Sequence, residues 1–268
     1  RQIGSVIENI IPAIKNHQND LFDWLFEQKF TKTIQDKELT QRLLLVSSEN
    51  GNPHSITTIV DKGFDFLSLD RDFCRRIIQG ASKNGFYKLL QFLSIIMNMN
   101  FERDNNFGVF DYESSVYFGN LSIFKFYLQK SSSAIINNAL TSAVEKECVN
   151  IVKYIFETDS ARKRVDFNTN IMNTLFSNSI RLKSNYLFKY LIEQFNKYQK
   201  NLFKKFFISY DLLSQACYLN KVEIAKEIVS IMIECDNENK RISFSLPFYN
   251  AVIAGSIELC HFFIDKKV

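Results

Sequence analysis

Hydrophobic and polar positions alternate in a template that returns eight times along the chain. A small residue is followed four positions later by a turn residue, then by apolar residues at positions eight/nine and twelve/thirteen. The small residues are Ala13, Ser47, Ala81, Ser115, Ala143, Ser179, Ala216 and Ala251. Their spacings of 34, 34, 34, 28, 36, 37 and 35 average 34 residues. The apolar positions are clearest in Leu89-Leu90 with Leu93, Ile123-Phe124 with Tyr127-Leu128, and Ile151-Val152 with Ile155-Phe156. The residue three before each anchor tests the register independently. It is Ile10, Leu44, Ile78, Tyr112, Leu140, Phe176, Leu213 and Phe248, apolar or aromatic every time.

Each repeat predicts a short helix, a tight turn and a second helix. Apolar residues at i, i+1, i+4 and i+5 form one broad stripe at the 3.6-residue period. An Ala or Ser at the anchor lets neighbouring helices approach closely. Gly51, Gly85, Gly119 and Gly255 stand where the first helix must stop, and glycine takes the left-handed C-cap without a Cβ penalty. Neither Gly-x-Gly-x-x-Gly nor Gly-Lys-Ser/Thr occurs, so these glycines do not read as a phosphate loop.

In the last repeat, Leu246-Pro247-Phe248-Tyr249-Asn250-Ala251 stands where the ankyrin repeat has Thr-Pro-Leu-His-x-Ala. Gly255-Ser256-Ile257-Glu258-Leu259 stands where that family has Gly-His-x-x-Ile, and Gly63-Phe64-Asp65 resembles the Gly-Ala-Asp that opens its hairpin finger. The period also resembles the family's period of about 33 residues. The chain therefore resembles a degenerate ankyrin-repeat protein of the divergent kind abundant in parasitic protists. The resemblance implies an all-α fold, an ankyrin-like α-solenoid of about eight helix-turn-helix repeats over residues 1–268 as a single domain. Several fingers are expected to be poorly formed, above all where the spacing drops to 28. Tetratricopeptide-type repeats share the period but lack this turn pattern.

Composition narrows the function classes. With 46% hydrophobic residues the chain can bury a real core. The apolar runs 43–46 and 92–97 fall far short of the roughly 18 residues that bridge a bilayer. Residues 1–9 do not read as a signal peptide, and the Arg1 start suggests a segment of a longer chain. The five cysteines have no framework spacing, which favours reduced thiols and a cytoplasmic setting, the cytoskeleton included. His17 falls on a turn and reads as a surface cap, and His54 reads as solvated. Cys260-His261 has no further ligands spaced to complete a metal site. No catalytic motif is present, so neither enzymatic activity, nor a cofactor, nor a small-molecule substrate is expected.

A solenoid offers a long ridged surface, so the resemblance implies a non-enzymatic scaffold for protein–protein interaction. The alternative is a structural component of a cytoskeletal, microtubule-associated assembly. Residues 153–205 carry 11 Lys and Arg against four Asp and Glu, a zone suited to an acidic protein surface and less to nucleic acid. The second and third residues after each anchor are expected to face outward. Tyr117, Phe118 and Tyr218, with Arg181 at the equivalent position of the sixth repeat, are the expected partner-binding residues, because tyrosine is enriched at binding hot spots.

Overall fold

The computed structural model describes residues 2–29, 36–65, 69–97, 115–130, 133–207, 211–235 and 244–266. Tyr112 and the continuation of the finger expected after Asp65 lie outside them. Every regular element among the described residues is helical. By contacts the chain divides into two compact units, Arg1–Ile135 and Ile136–Val268.

In the first unit the helices come in pairs: α1 (Gln2–Lys15) with α2 (Asn19–Lys29), α3 (Lys37–Glu49) with α4 (Pro53–Asp61), and α5 (Arg71–Lys83) with α6 (Tyr87–Ile96). A helical turn at 115–117 precedes α7 (Leu121–Lys130). The first helices touch in series, α1 on α3 and α3 on α5, while α2 packs on α4.

The second unit holds α8 (Ser133–Glu145) from Ile136 onward, then α9 (Val149–Glu157), α10 (Asp159–Arg162), α11 (Thr169–Arg181), α12 (Tyr186–Tyr198), α13 (Lys200–Phe207), α14 (Asp211–Tyr218), α15 (Val222–Cys235), α16 (Ser245–Ile253) and α17 (Ile257–Asp265). First helices again touch in series, α11 on α14 and α14 on α16. Here α13 is an additional element, packed on α11, α12 and α15 and burying Phe203 and Phe206. The end of the basic stretch 153–205 thus runs into a helix that sets Phe203 and Phe206 in the core.

Helix starts follow from local chemistry. Asp36, Asn52, Asp70 and Asn168 each accept the main-chain N–H three residues on, at 2.7–3.2 Å. Pro53 occupies the first turn of α4, where its missing N–H leaves no bond unmade.

The stops are more regular still. Four residues after the anchor, His17, Gly51, Gly85, Gly119, Glu147, Asn220 and Gly255 all have φ between 51° and 80°. At each, the following N–H donates to the anchor carbonyl at 2.7–3.0 Å, and the left-handed residue's own N–H donates to the carbonyl after the anchor at 3.0–3.3 Å. This paired bonding is the Schellman motif, which satisfies carbonyls the helix end would orphan. Only the sixth repeat departs: Leu182 caps α11 in an extended conformation and the chain bends through 183–185.

Packing follows the same register. All eight anchors are fully buried. Of the positions three before them, Ile10, Leu44, Ile78, Leu140, Phe176 and Leu213 are buried and Phe248 is half-buried. The residue just after the anchor is buried in all repeats but one. Ile14, Ser48, Ser82, Val116, Val144, Ile180 and Cys217 are 0% exposed, whereas Val252 is 52% exposed. Among the described residues no helix pair follows α17 to cover Val252.

Candidate functional site

The first helices of the Arg1–Ile135 unit leave a groove of about 690 Å³ open to solvent along one side. It is lined by Lys15, Leu45, Glu49, Asn50, Arg76, Gln79, Gly80, Lys83, Asn84 and Phe118. Lys15, Glu49, Asn50, Lys83, Asn84 and Phe118 occupy the second and third positions after four successive anchors. Leu45, Arg76, Gln79 and Gly80 come from the preceding turns of α3 and α5. On a helix, positions three, four and seven apart share a face, which brings these residues onto one wall.

Side-chain-to-backbone hydrogen bonds fix the helices that line the groove. Asn84 donates through Nδ2 to the Glu49 carbonyl at 2.9 Å and to the Gly80 carbonyl at 3.0 Å. Ser48, buried beneath, donates to the Ile77 carbonyl. A Cβ at Gly80 would stand 3.0 Å from Glu49 Cγ and 3.2 Å from Ser48 Oγ, so the absence of a side chain there permits α3 and α5 to approach. These contacts hold the groove's shape before anything binds.

Its walls carry charge without ionic partners, although Arg76 lies 5.8 Å from the centre of the Phe73 ring. Among the described residues Lys15, Arg76 and Lys83 make no ion pair, and the one carboxylate, Glu49, makes none either. Lys83 Nζ lies 5.7 Å from the centre of the Phe118 ring, within cation–π range. Phe118 is 45% exposed and packs edge-on against Tyr117, ring centres 4.8 Å apart.

No family model matches the chain, and no curated protein matches it in sequence. The site therefore rests on its own geometry.

All four residues expected to bind a partner are on the surface. Tyr117 and Tyr218 are 60% and 61% exposed, and Arg181 is exposed at the end of α11. None of the second and third positions after the eight anchors is buried. Tyr117 and Phe118 belong to the first unit; Arg181 and Tyr218 belong to the second, on the neighbouring helices α11 and α14. Of the four, only Phe118 lines the groove.

The basic zone at 153–205 is less free than its charge count implies. Arg162 donates to the Phe156 carbonyl at 2.9 Å, pairs with Asp159, and stacks 3.9 Å from the Tyr198 ring centre. Lys197 sits over the same ring, and Lys153 lies over Tyr186 and Tyr190. These cations serve helix ends and tyrosine faces as much as solvent. His54 likewise is half-buried and bonded to Asp23 at 2.8 Å, where the sequence reading had it solvated. Sequence reasoning favoured the aromatic repeats and passed over the polar early ones. The signal for the groove was the seven-residue spacing of Arg76 and Lys83, which aligns two cations on one face of α5.

Proposed function

We propose that the chain is a non-enzymatic protein–protein interaction scaffold, built as an ankyrin-like solenoid, whose groove between first helices takes a segment of a partner protein. The observation that carries this reading is the convergence of outward positions from four successive repeats on one groove with unpaired charge and an exposed ring. Repetition supports it: stacked helix pairs with a common turn generate extended surfaces, not enclosed pockets. The shared left-handed turn and the serial contacts of first helices within each unit are what an ankyrin-like stack requires. A cytoplasmic setting accords with it, since Cys74, Cys148, Cys217 and Cys260 are free thiols.

The test is affinity capture with the tagged chain from the source cells, followed by identification of the bound proteins. The scaffold reading expects a reproducible partner whose capture is lost with Lys83→Ala and Phe118→Ala but kept with Tyr218→Ala. Capture that ignores both groove substitutions and fails with Tyr218→Ala would move the site to the second unit. Release of the partner in moderate salt marks a reversible adaptor, whereas retention in the insoluble cytoskeleton marks a built-in component.

A further inference from the structure

The groove's charge does not come from its surroundings. Residues 1–135 contain fifteen Lys and Arg and fifteen Asp and Glu, so the unit that carries the groove is formally neutral. Within the groove the balance is three cations, Lys15, Arg76 and Lys83, against Glu49. A neutral body with a local cationic cleft does not attract polyanions in bulk, since non-specific nucleic-acid affinity grows with the number of phosphates a protein neutralises. It recognises a few negative groups at fixed positions. Beside the cations stand Leu45 and the exposed ring of Phe118, apolar surface that a phosphate backbone would leave uncovered and that an amino-acid side chain can bury.

We infer that the occupant of the groove is an acidic segment of a partner protein in which carboxylates alternate with apolar side chains. Its carboxylates pair with Arg76 and Lys83, and its apolar residues seat against Leu45 and against Phe118. Glu49 repels a carboxylate placed beside it and so sets the register in which the segment lies. Charge complementarity of this kind governs the association rate and its salt dependence, while covering the Phe118 ring supplies residence time. The inference rests on the docking reading above and adds the chemistry of what docks.

The experiment is a fluorescence-anisotropy titration of the full chain with a labelled peptide alternating glutamate and leucine. A lysine–leucine peptide and a single-stranded oligothymidylate serve as the other probes. Expected is saturable binding of the acidic peptide alone, weakening as salt is raised. Arg76→Glu with Lys83→Glu weakens it by about tenfold or more and confers binding of the lysine–leucine peptide, because the sign of the cleft is reversed. Phe118→Ala weakens binding with little change in salt dependence. Tyr218→Ala in the other unit changes nothing, and thermal melting establishes that each variant is folded. Equal binding of both peptides, binding of the oligonucleotide alone, or indifference to the charge reversal overturns the inference. If groove substitutions abolish capture of a cellular partner yet the acidic peptide never binds, the docking reading stands and the acidic occupant falls. If they affect neither assay, both fall.

Discussion

Ser82 and Tyr127 lie 45 residues apart in the chain and meet hydroxyl to hydroxyl at 3.0 Å inside the core of the first unit. Ser82 is fully buried and Tyr127 is 2% exposed, so the bond joins α5 to α7 away from water. Burial makes the pair asymmetric in its costs. Losing one partner strands a polar group, whereas losing both leaves an apolar contact. Tyr127→Phe is expected to destabilise the chain by about 1–2 kcal/mol in chemical denaturation. Adding Ser82→Ala should cost less than its effect in the parent chain, giving a coupling energy of roughly 0.5–1 kcal/mol in the double-mutant cycle. Strict additivity would show that the two hydroxyls do not depend on each other.

The left-handed turn residues carry a second prediction. Gly51 and Gly255 share a φ of 67°, so alanine costs about 1–2 kcal/mol at either from backbone conformation alone. Only at Gly51 does a new Cβ meet anything, the Phe86 ring at 2.6 Å. Gly51→Ala should therefore lower stability more than Gly255→Ala. Conversely, Glu147 holds a φ of 55° with an exposed side chain, and Glu147→Gly should raise stability by up to about 1 kcal/mol. Equal effects at the two glycines would remove Phe86 from the argument.

The repeat and its turns were legible because their cause is local. A small buried anchor and a left-handed position four residues on leave a residue-type trace, and even His17, Glu147 and Asn220 keep the position once the glycines fix it. The register also placed the outward positions, all of which are at least partly exposed. What did not show was anything set by a tertiary neighbour. The helix at 200–207 hides in a lysine-rich stretch because Phe203 and Phe206 acquire meaning only when α11, α12 and α15 surround them. Arg162 looks like one more surface charge until Tyr198 and the Phe156 carbonyl are found beside it. The groove was missed for the same reason. Lys15, Arg76 and Lys83 are 61 and 7 residues apart in sequence, and only α1, α3 and α5 packing in series collects them.

Alkaline pH should weaken the second unit. Burial, with Cys260 nearby, pushes the Cys217 thiol up to about 12 from an ordinary value of 9.0. Burial also raises the Tyr190 hydroxyl, helped by Glu157, which accepts its hydrogen bond at 3.2 Å. Both groups are neutral when protonated, so the folded chain holds protons that the unfolded chain releases first. Stability is then full below about pH 9 and falls as pH rises from there towards 12. Cys217→Ser should flatten part of that fall. In the folded chain Cys217 should also resist alkylation at pH 8, reacting at the rate of unfolding. Rapid labelling under native conditions would contradict its burial.

Val144 and Val252 occupy the same place, one residue after an anchor, in the fifth and eighth repeats. Their surroundings differ completely: Val144 is 0% exposed and Val252 is 52% exposed. The difference isolates what a neighbouring helix pair contributes, because residue type, turn geometry and helix position are held constant. Removing methyl groups from a closed site costs their transfer free energy and leaves a cavity, whereas at an open site water fills the gap. Val144→Ala should thus lower stability by about 1.5–3 kcal/mol. Val252→Ala should stay within about 0.5 kcal/mol of the parent, as is usual for surface positions. Urea unfolding with each variant measures both, with the slope against denaturant expected to be unchanged. A loss at Val252 matching that at Val144 would mean that α16 and α17 are covered in solution, and a second copy of the chain would be the first occupant to seek by sedimentation.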